Sequence, residues 1–237
     1  MLAIFGGLWW SHVRPDHKKT NLQGSASQTS QTSSQNNQAV ANQFDKNQYS
    51  TTDPSSIWVV VNKQHPLSPI NYAPADLTPI GNGQYMRAEA ASALVQMVAD
   101  AKAARYNLTF ESGYRSYATQ TGVYNNEVRA FGQAKADTES ARPGYSEHQT
   151  GWAVDLGNGN CIEDCFGKTE AAAWVLTNAY KYGFLHRYPS DKSGITGYRN
   201  EPWHFRYIGK TLSQEMRAEN VTTLEEFFGL PAAPDYN

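Results

Sequence analysis

The chain has 237 residues, enough for one generous domain behind a tail or for two small ones. Its 20 Lys and Arg nearly balance 22 Asp and Glu, and a formal charge of −2 excludes a field that would gather nucleic acid or anionic lipid. Fourteen Tyr, nine Phe and six Trp exceed what a small core needs; packing is the default for each, but aromatics in this number also line clefts for extended polar substrates.

The chain opens on LAIFGGLWW at 2–10, an apolar run too short for a bilayer, which takes about 20 residues, and with no basic residue ahead of it. Residues 1–19 read as the remnant of an export signal or membrane anchor, or as a merely apolar terminus. Residues 20–52 include GSASQTSQTSSQNNQAVANQ, whose Ser, Thr, Gln and Asn offer too little apolar surface to offset the entropy of ordering a backbone. They are expected to form a disordered polar linker. Such a tether suits an enzyme held at an outer membrane face, and a cytoplasmic tail would have the same composition.

The folded domain is expected at 53–237. IWVVVN at 57–62 predicts a short strand, and the prolines of HPLSPINYAPADLTPI force an extended surface path. From 86 to about 106, Ala90, Leu94, Val95, Val98 and Ala101 recur at helical spacing. LTFESGYR predicts a strand ending at Arg115, YATQTGVYNNEVRAFGQAK a second helix, and TEAAAWVLTNAYKYG a third that stops at Gly183. WAVDL, FLHRY and WHFRYIG supply further short strands. This mixture predicts an α+β domain, a small antiparallel sheet flanked by helices, and no internal repeat is found. Cys161 and Cys165 lie in the loop GNGNCIEDCFG, with no second pair to complete a structural zinc site; a local disulfide and an oxidising exterior are favoured over two free thiols.

Two segments carry chemistry. In SEHQTGWAVDLGNG, strand alternation puts Trp152, Val154 and Leu156 on one face and Asp155 on the other, while Gly151 can fold the chain so that His148 and Asp155 reach one point. In EPWHFRY, Trp203, Phe205 and Tyr207 share a face, His204 and Arg206 the opposite one, and Glu201 precedes the strand or sits at a bend. Two histidines and a carboxylate suffice for a catalytic zinc, with a remaining glutamate as base. The plainer alternative has His148 capping a turn, Asp155 bonding backbone N–H groups and Glu201 paired with Arg206. His12, His17, His65 and His186 look non-catalytic from their places in the tail, beside Pro66 or in an aromatic strand.

SGYRSYATQ at 112–120, YSEHQTGWAVDL at 145–156 and GYRNEPWHFRYIG at 197–209, with VNKQHPLSPINYAPADL at 61–77, resemble the VanY-type D-alanyl-D-alanine carboxypeptidase family, which includes peptidoglycan L,D-carboxypeptidases of the LdcB and DacB kind. The resemblance covers about residues 57–210 and implies a zinc peptidase with His148, Asp155 and His204 as ligands and Glu201 as catalytic base. It places Arg115 on the substrate, at the carbonyl oxygen or the terminal carboxylate. Ser146, Gln149, Tyr145 and Trp203 flank the ligands and are expected substrate contacts; strand parity makes Trp152 core. The implied substrate is the peptidoglycan stem peptide, losing its C-terminal D-alanine in the cell envelope or outside the cell, with the N-terminus as a membrane tether. An endopeptidase on the same scaffold and a wall-binding module with structural zinc are the alternatives; an unligated glutamate beside the ligands speaks against the second.

Overall fold

The computed structural model describes residues 44–237. The expectations for 1–19 and 20–43 lie outside the described residues. Residues 44–52, which composition assigns to the linker, pack on the domain. Phe44 stacks on Trp58 with ring centroids 5.5 Å apart, Tyr49 meets the same indole edge-on at 4.9 Å, and Val60 donates its N–H to Thr51 O. Two aromatics in a polar run supply the anchoring that average composition conceals. A chain cut after residue 43 keeps these contacts and sets the reference melting temperature. Cutting after 52 should lower it by roughly 4 °C or more, given ~2 kcal/mol of aromatic packing and about 2–4 °C per kcal/mol at this size. Calorimetry on the two truncations checks this, and equal melting points would show these contacts to be idle.

IWVVVN, expected as a short strand, is buried but forms none. The carbonyls of Ile57 and Val59 accept from Arg206 Nη2 at 3.1 and 2.9 Å instead of joining a ladder. Beyond it, β1 (Leu77–Gly81) and β2 (Gln84–Arg87) form an antiparallel hairpin that the sequence reading did not foresee. Asn82 and Gly83 turn it at positive φ, a pair suited to the twist of the flanking strands. The first helix, α1 (Ala88–Ala103), consequently starts two residues later than expected, and it buries Ala90, Leu94, Met97 and Ala101 while leaving Val95 exposed.

After β3 (Thr109–Ser112), the expected second helix is two, α2 (Tyr117–Phe131) and α3 (Gln133–Glu139), parted by Gly132. Ser116 caps α2 by accepting from the Thr119 N–H. Then come β4 (Ala153–Gly157), α4 (Glu170–Asn178), which Thr169 caps, and a tight turn that ends at left-handed Gly183 as expected. The chain finishes with β5 (Phe184–His186), α5 (Ser193–Thr196), β6 (His204–Tyr207), α6 (Lys210–Ala218) and α7 (Leu224–Phe228). The sheet order is β3-β4-β6-β5, antiparallel throughout, so the expected α+β class and small antiparallel sheet are what the chain forms. Val154, Leu156, Phe205 and Tyr207 enter the core with Leu94 and Met97.

The opposite face holds charge. Arg187, just past β5, donates twice to Glu225 of α7, at 2.9 and 2.7 Å, and Asn62 donates to the same carboxylate at 2.8 Å. Burial works against the Glu225 charge, but Arg187 and Asn62 prevail and hold its carboxyl below the ordinary 4.5. A depressed carboxyl stabilises the fold above its unfolded pKa, and that contribution is lost as pH falls through the folded value. Glu225→Gln should cost about 3–5 kcal/mol at pH 7 by leaving Arg187 under-compensated. Denaturant titrations should show this gap narrowing below pH 4.5, and a gap independent of pH would contradict the assignment.

Candidate active site

Three segments converge at one end of the sheet. A short turn of 3₁₀ helix, Glu147–Thr150, is closed by Thr150 Oγ1 donating to Glu147 O at 2.6 Å, and Gly151 at φ +74° swings the chain into β4. His148 Nε2 thereby comes within 3.2 Å of Asp155 Oδ2. Asp155 and His204 are direct partners in the β4–β6 register, so their side chains share a face, with Asp155 Oδ1 3.3 Å from His204 Nδ1. One ligand atom from each of His148, Asp155 and His204 lies within 4.8 Å of the others. Asp155 Oδ1 is buried without a well-aligned hydrogen bond, an orphan oxygen aimed into the cluster. Two imidazoles and a carboxylate with such an oxygen fit a metal ion of the borderline-soft kind.

Each ring is held by its far nitrogen. His148 Nδ1 donates to the Gly113 carbonyl at 2.8 Å, which frees Nε2 for the cluster. Gly113 lies so close to the Tyr85 backbone that any side chain there would push this carbonyl away. His204 turns Nε2 toward Glu147 Oε2, at 3.3 Å, and Nδ1 toward Asp155. Burial lowers the His148 pKa, Asp155 offsetting it only in part, so this ring is neutral at pH 7. Burial also opposes charge on His204, but the Asp155 and Glu147 carboxylates prevail and raise its pKa to about 9. A metal cation at this point competes with that proton. Burial likewise opposes the Asp155 charge, and the two histidines hold its carboxyl far below the usual range.

Glu201 sits before β6, as the proline suggested. Its N–H donates to Tyr188 O and its carbonyl accepts from the His204 N–H, both at 3.0 Å. The His186 ring adds a bond at 3.1 Å from Nε2 to the same carbonyl. The Glu201 carboxylate reaches within 3.7 Å of His204 Nδ1 and forms no ion pair with Arg206, contrary to the plainer sequence reading. Burial, with Asp155 adding to it, raises its pKa to about 8. Arg115 is fixed by Ser112 Oγ at 2.8 Å and Gln120 Oε1 at 3.0 Å and stops 3.9 Å from Asp155.

These groups line a cleft of about 480 Å³, which Ser146 and Trp203 also line. The Arg199 guanidinium lies 5.0 Å from the Trp203 ring centre and binds Asp164 and Glu139. Two expected substrate contacts point elsewhere. Gln149 is fully buried and donates to Ile70 O and Tyr72 O at 2.8 and 3.0 Å, supporting the proline-rich segment. Tyr145 packs edge-on against Tyr236, 5.2 Å between centroids, outside the cleft lining. Trp152 is core, 3% exposed. Cys161 and Cys165 are joined in a disulfide with Cα atoms 5.1 Å apart, beside cleft residue Glu163.

Sequence reasoning missed Glu147. It is buried between Arg187 Nε at 2.8 Å and Arg206 Nη1 at 3.1 Å. The readable signal was Arg206, which shares strand parity with His204 and so needed a counter-charge on the site face.

Among proteins of known sequence and structure, this chain has close company. The VanY family, described as D-alanyl-D-alanine carboxypeptidase, matches residues 83–210. YodJ of Bacillus subtilis is 45% identical over 188 residues, which cover 74% of this chain and 68% of that protein. The LdcB LD-carboxypeptidase structure superposes with a TM-score of 0.68 at 44% identity, covering 74% of this chain and 87% of the other. A VanY D,D-pentapeptidase variant solved with Zn(II) gives 0.63 at 32%, covering 71% and 97%. The matched stretch contains Arg115, His148, Asp155, Glu201 and His204, and on sequence and fold together the chain belongs to the VanY family of D-alanyl-D-alanine carboxypeptidases.

Proposed function

We propose that the protein is a zinc carboxypeptidase that removes the C-terminal D-alanine from peptidoglycan stem peptides. The observation that carries this is the convergence of His148, Asp155 and His204, one ligand atom from each within 4.8 Å of the others, with the Glu201 carboxylate 3.7 Å from His204 Nδ1. The relatives support the metal and the substrate, since one VanY structure holds Zn(II) and another holds D-alanine-D-alanine. Bound zinc supplies Lewis acidity, polarising a carbonyl and acidifying water at neutral pH.

The chain's own residues supply the rest. Glu201, its charged form disfavoured by burial, accepts the proton of the attacking water and returns it to the departing D-alanine amine. Arg115 stays positive throughout and, being anchored by Ser112 and Gln120, presents a preorganised charge to an oxyanion or terminal carboxylate. Gln120, Val123, Glu127 and Phe131 line the cleft from one face of α2. Those turns rise about 16 Å, the span of roughly five extended residues, which suits a stem peptide better than a free dipeptide. The Cys161–Cys165 disulfide supports an oxidising location at the cell envelope. Among the described residues no helix is long and apolar enough to cross a membrane; residues 20–43 remain the proposed tether, behind the proposed remnant of an export signal or anchor at 1–19.

Mass spectrometry of defined tri-, tetra- and pentapeptide muropeptides incubated with purified protein tests this reading. Loss of one terminal D-alanine from the tetrapeptide or pentapeptide is expected, with the tripeptide untouched. Cleavage inside the stem with the terminal residue retained would replace it by an endopeptidase.

A further inference from the structure

We infer that Glu147 is a positioning residue for His204, fixing which ring nitrogen faces the metal. The inference rests on the zinc reading above and adds to it a residue that is not a ligand. Glu147 lies one residue before His148, yet its carboxylate meets the far side of the other histidine, His204. Arg187 Nε and Arg206 Nη1 both donate to Oε1, so the carboxylate is anionic and can only accept. The His204 nitrogen facing Oε2 at 3.3 Å must then carry the proton, and this is Nε2. A neutral ring with its proton on Nε2 has its lone pair on Nδ1, the atom 3.3 Å from Asp155 Oδ1. Tautomer and direction follow from the pair of contacts, since Nε2 is hydrogen-bonded to Glu147 whereas Asp155 Oδ1 has no hydrogen-bond partner.

Glu147 is itself immobilised. Arg206 Nη2 is spent on the Ile57 and Val59 carbonyls and its Nε on Tyr207 O, while Arg187 is clamped by Glu225, which Asn62 also holds. Glu147, Arg187, Arg206 and Glu225 are all at most 2% exposed, and their two positive and two negative charges cancel. A rigid neutral block therefore runs from α7 to the back of His204. Gly113 O does the same for His148 by a backbone carbonyl; Glu147 does it by a side chain, which can be exchanged without moving the backbone.

Two replacements separate this role from charge balance. Glu147→Asp keeps the negative charge for the arginines but withdraws the carboxylate from His204. Glu147→Gln keeps the length, but with its oxygen on the arginines it turns an NH₂ toward Nε2 and so favours the tautomer with the proton on Nδ1. Both variants should bind zinc about 10–100-fold more weakly than the parent in competition with a chromophoric chelator, the usual cost of losing such a partner. Long-range ¹H–¹⁵N spectra of the zinc-loaded parent should show His204 protonated on Nε2 and metal-bound through Nδ1, a readout that needs no variant and stands even if both fail to fold. Zinc affinities within twofold of the parent in folded variants, or a His204 proton on Nδ1, would overturn the role of Glu147 alone. A parent chain that takes up no zinc would overturn the metal reading, and this proposal with it.

Discussion

Glu201→Gln is expected to lower D-alanine release by about 10²–10⁴-fold while the protein keeps one zinc per chain. Glutamine preserves size and hydrogen bonding but cannot accept the proton of the attacking water. Glu201 lies 3.7 Å from His204 Nδ1; burial raises its pKa to about 8, and a zinc cation beside it would offset that burial and leave a carboxylate basic enough to take a proton from water. Turnover and metal content measured on the same preparation separate the possibilities. A variant that stays active assigns the base elsewhere, and one that loses zinc makes Glu201 a ligand.

His204→Ala should fail differently. It deletes the proposed Nδ1 ligand and also strips the buried Glu147 Oε2 and Asp155 Oδ1 of the imidazole between them. Zinc affinity should fall by more than the 10–100-fold expected for an outer partner. D-alanine release should drop to background, and about 1–3 kcal/mol of stability should go with the unsatisfied buried oxygen. Metal analysis, turnover and denaturant melts check the three effects together. Full zinc occupancy in this variant would remove His204 from the site.

The convergence of the site was legible because strand parity is a strict rule. Asp155 and His204 each oppose apolar neighbours in their own strand, so once β4 and β6 pair they must share the polar face, and Gly151 explains how His148 joins them. Parity also displayed Arg206, but not what it neutralises, because its partner Glu147 lies 59 positions away in the chain. Gln149 faces away from the cleft because residues in a 3₁₀ turn point in three directions, and Tyr145, ahead of that turn, packs on Tyr236; nearness in sequence to His148 says nothing of either direction. The 57–61 segment looked like a strand because burial and β-branched residues are shared by strands and by extended core segments. Arg206, distant in sequence, decides between them by taking the Ile57 and Val59 carbonyls. The β1–β2 hairpin was announced by Asn82-Gly83, a signal hidden among prolines.

The most direct test of the His148, Asp155 and His204 assignment is a zinc titration of metal-stripped protein with D-alanine release from a stem peptide followed at each addition. Activity should be absent at the start, rise in proportion to added zinc, and level off at one equivalent. Turnover that is undiminished in the stripped protein, or indifferent to zinc, would contradict the account.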